Sequence, residues 1–188
     1  MAGVRARHPR FATAVAADAR LTLAMQGKGA APTGRVALGL TALRLAWSSD
    51  AFAATACYRA KARLQALRVP VLPRVFHRLA MMLAQVCIGD PVVVAPGLYL
   101  AHGQVVIDGF VEIGSDVVLF PWVTVGLRAG DFRGPTIGAG AHIGTGAKVI
   151  GPVTVGARAR VGANAVVTGD VAPDSTVVGA PARPVGSA

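Results

Sequence analysis

The fold is decided by the stretch Ile137-Gly-Ala-Gly-Ala-His-Ile143-Gly-Thr-Gly-Ala-Lys-Val149-Ile-Gly-Pro-Val-Thr-Val155-Gly-Ala-Arg-Ala-Arg-Val161-Gly-Ala-Asn-Ala-Val-Val167. An aliphatic residue recurs in it every six positions, often followed by Gly, and the residue four positions later is small or β-branched. A fixed short period of this kind is typical of stacked coils, in which each repeat supplies one short strand and one turn. Stacking buries a continuous aliphatic column, which explains why only ten of the 188 residues are aromatic.

The same period extends upstream to Ile88, with one extra residue at His102-Gly103-Gln104. About thirteen hexads, three to a triangular coil, predict roughly four coils. Between Val125 and Ile137 the hexad pattern fails, although the phase is kept. Residues 127–136 are therefore predicted to form a loop that leaves the coil, and loops on rigid scaffolds often carry function.

Charge and glycine divide the chain into two regions. Residues 1–85 hold 13 basic and 2 acidic residues, a net of +11, whereas residues 86–188 hold 6 basic and 7 acidic residues, a net of −1. Gly is split the other way, with 5 in the first region and 18 in the second. We therefore expect an α-helical region over 1–85 and a β-helix domain over 86–188. Because the positive charge is confined to the first region, it is weak evidence for a nucleic-acid partner, and we expect none.

In the first region, residues 12–25 could form a helix, and the Gly/Pro stretch after it indicates a linker, so residues 1–33 could be flexible. Further helices are predicted around 40–47, 51–67 and 75–84. The helix over 51–67, the third in the chain, is predicted to be capped by Ser48, Ser49 or Asp50. We expect this third helix to bury the apolar stripe Ala53, Ala56, Cys57, Ala60, Leu64 and Leu67. The flanking basic residues, Arg59, Lys61, Arg63 and Arg68, are expected to form a solvated face.

Several classes are disfavoured. No run of 18 apolar residues is present, so a membrane span is not expected. Two cysteines, Cys57 and Cys87, give neither a disulfide framework nor zinc-ligand spacing, which favours a cytoplasmic protein without a metal. A metal-dependent β-helix enzyme with three histidine ligands is also disfavoured, since only His102 and His142 fall in the coils. Of these two, His102 stands at the break in the repeat and is the stronger candidate for chemistry.

Residues 86–185 resemble the serine O-acetyltransferase branch of the hexapeptide-repeat acyltransferases, whose fold is a left-handed parallel β-helix. The resemblance rests on Gly97-Leu-Tyr-Leu-Ala-His102-Gly, Val123-Thr-Val-Gly126, the stretch 137–156, Gly162-Ala-Asn-Ala-Val-Val and Gly179-Ala-Pro-Ala-Arg183. Upstream, Trp47-Ser-Ser-Asp50-Ala-Phe52 and Cys57-Tyr58-Arg59 resemble the helical entry segment of that family.

The resemblance implies an acetyl-CoA-dependent O-acetyltransferase in which His102 is the general base. It implies a homotrimer with the donor in the groove between neighbouring β-helices, and a dimer of trimers through the N-terminal helices as a further option. Acceptor binding is carried over to Asp50 and Arg133. Donor binding is carried over to Gly144, Thr145, Lys148, Gly162, Ala163 and Arg183, with Lys148 and Arg183 as phosphate partners.

Three departures from the family pattern concern the acceptor. Serine acetyltransferases usually have Asp at the positions of Cys87 and Ala101, and a second His at the position of Gly134. Asp90, Asp108 or a backbone carbonyl could orient His102 in place of the missing carboxylate. We therefore expect a small hydroxyl- or amine-bearing acceptor other than serine, with L-serine in a divergent pocket as the alternative. A non-catalytic β-helix scaffold is the competing hypothesis from a different class.

Overall fold

The computed structural model describes residues 7–185, and its first part consists of four helices. They are α1 (Phe11–Met25), α2 (Arg35–Ser48), α3 (Asp50–Ala66) and α4 (Leu72–Ala84). The side chain of Ser49 caps α3 by accepting a hydrogen bond from the Phe52 N–H at 3.3 Å. None of the helices in the described range is long and apolar enough to cross a membrane. Residues 1–6 of the predicted helical region and residues 186–188 of the predicted β-helix domain lie outside the described residues.

The second part is a parallel β-helix of about five coils, one more than the repeat count predicted. Its strands are β1 (Val86–Ile88), β2 (Val93–Val94), β3 (Leu98–Leu100), β4 (Val105–Ile107), β5 (Phe110–Ile113), β6 (Val117–Leu119), β7 (Thr124–Gly126), β8 (Arg133–Ile137), β9 (His142–Ile143), β10 (Lys148–Ile150), β11 (Thr154–Val155), β12 (Arg160–Val161), β13 (Val166–Val167), β14 (Thr176–Val178) and β15 (Arg183–Pro184). The additional coil closes through Val171, which bridges to Val155. The repeat count missed it because Val171 follows Val167 by four residues instead of six.

Each coil contributes one strand to each of three sheets. The first sheet has the order β1-β4-β7-β10-β13, the second β11-β8-β5-β2, and the third β15-β14-β12-β9-β6-β3. All neighbours are parallel except β15, which runs antiparallel to β14. The aliphatic hexad residues are buried inside the triangle, as the period predicted, and together with the small residues at the corners they form one continuous core.

The interruption between Val125 and Ile137 is a six-residue insertion at one corner. Val125 lies on β7 in the first sheet and Ile137 on β8 in the second, so twelve residues make a step that six usually make. Only residues 127–132 leave the coil, because the chain from Arg133 onward pairs with β5 through Phe110 and Glu112. The excursion is thus shorter than the predicted loop 127–136.

Helix α3 covers the open end of the first coil, and the predicted solvated basic face is wrong for two of its four residues: Arg63 and Arg68 are exposed, but Arg59 and Lys61 are buried. Arg59 and Lys61 are 3% and 2% exposed. A terminal coil has backbone carbonyls with no further strand to bind, and a buried carbonyl without a partner is unfavourable. Side chains of α3 fill this role: Tyr58 Oη donates to Val92 O at 3.0 Å, Arg59 to Val94 O at 2.6 Å and Ala95 O at 2.8 Å, and Lys61 to Ile88 O at 2.6 Å.

Asp18 of α1 completes this cap. Its carboxylate, 1% exposed, accepts hydrogen bonds from Arg59 Nε and Nη2 at 2.9 and 3.0 Å and from the backbone N–H groups of Gly97 and Leu98 at 3.0 and 2.8 Å.

The apolar stripe predicted on α3 is wrong for most of its residues. The buried apolar residues are Ala51, Ala54, Tyr58 and Ala62, which also recur at helical spacing, and Phe52, which packs against the other helices. Of the predicted stripe, Cys57 is partly buried against the β-helix core. An alanine-rich helix offers two such faces, and the need to satisfy the coil's carbonyls decides between them.

Candidate functional site

His102 lies in the turn between β3 and β4, and its side chain is exposed. The extra residue in the repeat at this point lets the turn bind the end of α4, where Gln104 N–H donates to Ala84 O at 2.8 Å. A Cβ on Gly103 would collide with that same carbonyl, so the close approach requires glycine. The break in the hexad pattern therefore reflects docking of the helical region onto the coil, and it leaves the imidazole facing outward.

The turn of His102 is the first of four stacked turns, which we call the histidine corner (residues 101–104, 120–123, 144–147 and 162–165). The corner connects the third sheet to the first. Hydrogen bonds run from turn to turn: Trp122 N–H to Gln104 O at 2.9 Å, Gly146 N–H to Pro121 O at 2.8 Å and Asn164 N–H to Thr145 O at 2.8 Å. Successive turns are thus one strand spacing apart, about 4.8 Å.

Four of the six predicted donor residues fall on this corner. Gly144 and Thr145 lie in the third turn, about 10 Å along the axis from His102, and Gly162 and Ala163 lie in the fourth, about 14 Å away. The structure therefore brings the predicted base and the predicted donor contacts onto one edge of the β-helix. Their order along that edge is the order of their turns.

The two predicted phosphate partners differ in their surroundings. Lys148 begins β10, and its ammonium donates to Trp122 O at 2.7 Å and Gly146 O at 2.9 Å, so it braces the histidine corner from the first sheet. An ammonium has a third N–H that can still reach a ligand. Arg183 lies on β15 at the far end of the β-helix, exposed, with its guanidinium donating to Ala182 O at 3.2 Å.

The two predicted acceptor residues are not on the histidine corner. Arg133 begins β8 at the corner between the first and second sheets, where Nε and Nη2 donate to the Asp131 carboxylate at 2.8 to 3.2 Å. These hydrogen bonds lower the pKa of Asp131 to about 2. Asp50 is the exposed first residue of α3, the helix that covers the coil carrying His102. Within one chain, Arg133 and His102 therefore occupy different edges.

The two carboxylates considered as partners for His102 are bound elsewhere. Asp90 forms an ion pair with the buried Lys61 ammonium at 2.9 Å, and Asp108 accepts from Gly109 N–H at 2.8 Å. Among residues 7–185, no hydrogen bond joins either of them to His102. Cys87, at the family's Asp position, lies on β1 beside Val106, and burial together with the charge of Asp108 raises the pKa of its thiol. No cluster of three or more potential metal ligands was found in the described part of the chain.

Sequence reasoning missed one residue of the histidine corner, Trp122. It occupies the second turn, between His102 and Thr145, and is 58% exposed. A pattern defined by aliphatic and glycine positions carries no information about a turn residue of this kind. The available indication was an aromatic residue in a repeat that otherwise needs none.

Comparison with known proteins places these features in a family. Residues 134–169 match the family model for the bacterial transferase hexapeptide (six repeats). A serine acetyltransferase of Helicobacter pylori strain J99 is 39% identical over 133 residues, which cover 69% of this chain and 77% of that protein. Soybean serine acetyltransferase complexed with serine superposes with a TM-score of 0.77 at 29% identity, covering 96% of this chain and 71% of the soybean chain. A serine acetyltransferase in complex with CoA gives 0.78 at 25% identity, covering 97% and 73%.

Repeat, fold and corner together define a hexapeptide-repeat acyltransferase with a left-handed β-helix. The chain belongs to the serine acetyltransferase family. It is accordingly an acetyl-CoA-dependent O-acetyltransferase by class.

Proposed function

We propose that the protein transfers the acetyl group of acetyl-CoA to the hydroxyl of a small acceptor, with His102 as the general base. The observation that carries this proposal is the histidine corner, where an exposed imidazole shares one edge with the stretches that match the family's donor-binding coils. A positioned imidazole nitrogen can accept a proton from a hydroxyl and pass it on, which is the task of a general base.

The acetyl group passes directly from CoA to the acceptor, without an acyl-enzyme intermediate. His102 takes the proton of the acceptor hydroxyl as the oxygen attacks the thioester carbonyl carbon, giving a tetrahedral oxyanion. Collapse of the oxyanion forms the ester, breaks the carbon–sulfur bond and releases CoA, whose sulfur receives the proton from the imidazolium. Backbone N–H groups are the proposed donors to the oxyanion.

The donor is proposed to lie along the histidine corner. Gly144, Thr145, Gly162 and Ala163 present small side chains and backbone over two successive turns, which suits an extended pantetheine arm. Arg183, exposed at the far end, is the proposed phosphate partner. The Lys148 ammonium is held at Trp122 O and Gly146 O, nearer to His102, so its third N–H is proposed to contact the pantetheine arm instead of the phosphates.

For the acceptor, we propose a small hydroxyl compound that lacks the carboxylate of serine, with L-serine as the second candidate. The relatives named serine acetyltransferases, and one solved with serine, favour the second. Against it, Cys87, Ala101 and Gly134 replace residues of the family's serine site. In addition, the Arg133 guanidinium is already paired with Asp131, which reduces its attraction for a carboxylate.

The acceptor prediction is tested by thiol release from acetyl-CoA in the presence of L-serine, L-homoserine, simple sugars and small amines. We expect thiol release that depends on the acceptor. The value of kcat/KM for the best hydroxyl compound without a carboxylate should be at least about 10-fold above that for L-serine. A higher value for L-serine would establish the second candidate. Absence of CoA binding in calorimetry would contradict the proposed acetyl transfer and favour a non-catalytic β-helix scaffold.

We also propose a homotrimer and a cytoplasmic location. Arg133 and His102 lie on different edges of one β-helix, so Arg133 can take part in acceptor binding only if it approaches the histidine corner of a neighbouring protomer.

Helix α2 supports a further pairing of trimers, because Val36, Leu40, Leu43 and Trp47 form an exposed apolar stripe, with Trp47 94% exposed. We expect Trp47→Glu to halve the mass measured by light scattering, from hexamer to trimer. An unchanged mass would contradict pairing through α2. The control is Ser48→Glu, which adds the same charge at the neighbouring exposed position, off the apolar stripe.

A further inference from the structure

Trp122 occupies a position in the histidine corner that its backbone disfavours. Its φ is +66°, in the left-handed region that bulky residues rarely adopt. The equivalent positions of the next two turns are Gly146 and Asn164, at φ +75° and +56°, the residue types that tolerate this conformation. An unfavourable backbone combined with an exposed aromatic ring points to a use for the side chain.

The backbone of Trp122 is held from both sides. Its N–H donates a hydrogen bond to Gln104 O, in the turn of His102, at 2.9 Å. Its carbonyl accepts a hydrogen bond from the Lys148 ammonium at 2.7 Å. The indole itself makes no hydrogen bond within residues 7–185 and remains 58% exposed. The ring is therefore fixed at its root and open to solvent, as a wall of a binding groove would be.

The order of the turns decides which part of the donor Trp122 would meet, and this step rests on the proposed function. A donor that contacts Thr145 and Ala163 and reacts at His102 must cross the turn between them with its thioester end. That turn is the second one, which carries Trp122. With turns about 4.8 Å apart, the ring lies within one turn of the reacting carbonyl.

We propose that Trp122 is a specificity-determining residue that limits the length of the acyl group. Its indole closes the groove beside the thioester, so that acetyl fits and longer acyl chains are rejected. Removing the ring opens space for added methylenes. A hydrophobic wall of this kind discriminates by about 10-fold or more for each methylene.

The test uses Trp122→Gly, because glycine accepts φ +66° and every hydrogen bond of Trp122 is made by its backbone. The control is Asn164→Gly, at the equivalent position two turns away. Initial rates with acetyl-, propionyl- and butyryl-CoA are measured with the best acceptor of the wild-type protein. We expect the propionyl-to-acetyl ratio of kcat/KM to rise about 10-fold or more in Trp122→Gly and to stay within about 2-fold of wild type in Asn164→Gly.

Calorimetric affinities for the same three thioesters separate this inference from the proposed function. A wild-type preference for acetyl-CoA that disappears only in Trp122→Gly supports the inference even if no acceptor is acylated. Unchanged ratios in both measurements overturn the role of Trp122 while leaving the acetyl transfer by His102 intact. Failure of the wild-type protein to bind any of the thioesters overturns both.

Discussion

His102→Ala is expected to lower acetyl transfer by a factor of about 10²–10⁴, the usual contribution of a general base. The imidazole is exposed and lies in a turn whose contacts with α4 and with the next turn are made by backbone groups. Its removal therefore leaves the packing of the coil unchanged. We expect kcat to fall while the affinity for CoA and the thermal unfolding midpoint stay at their wild-type values.

His142→Ala is the matched control, since His142 is the other histidine of the coils. It lies on the outer face of β9, between Val118 and Arg160, and burial and the charge of Arg160 lower its pKa. A role in the reaction is not expected there, so activity should stay within about 3-fold of wild type. Activity retained in His102→Ala, or lost equally in both variants, would contradict the assignment of the base.

The β-helix could be predicted from the sequence because its repeat is local and strict. Each hexad has its own inward residue and its own turn. The prediction fails where the pattern does: at the step from Val167 to Val171, where one coil was missed, and between Val125 and Ile137, where the loop is shorter than predicted.

His102 was singled out by the same logic as a candidate for chemistry, because it stands at the single extra residue in an otherwise regular repeat. The structure explains that extra residue by a backbone contact with the helical region. That contact proved to be Ala84, at the end of α4.

The end cap could not be predicted in this way, because it depends on partners distant in sequence. Nothing local distinguishes Arg59 and Lys61, which are buried, from Arg63 and Arg68, which are exposed. Their burial follows from the unpaired carbonyls of the first coil and from Asp18, 41 residues away from Arg59. The same limit applies to Arg133, because its proposed role in acceptor binding needs a neighbouring protomer, which the sequence of one chain does not describe.

Arg59→Met is expected to destabilise the protein by about 3–5 kcal/mol, the cost of removing one partner of a buried ion pair. Methionine fills a similar volume, so packing is largely kept and the loss is electrostatic. The substitution leaves the Asp18 carboxylate buried with only two backbone donors, and it leaves Val94 O and Ala95 O without the guanidinium. The measurement is the free energy of unfolding in denaturant, followed by circular dichroism at fixed protein concentration.

Two further variants test whether the cap, and not the charge, is responsible. Arg63→Met removes an equal charge from the exposed side of the same helix and should change the free energy of unfolding by no more than about 0.5 kcal/mol. Arg59→Met combined with Asp18→Asn removes the stranded carboxylate, so the double variant should be less destabilised than the sum of its single variants. Equal effects of Arg59→Met and Arg63→Met would show that the first coil does not depend on its helical cap. In that case the burial of Arg59 and Lys61 would need an explanation other than the cap.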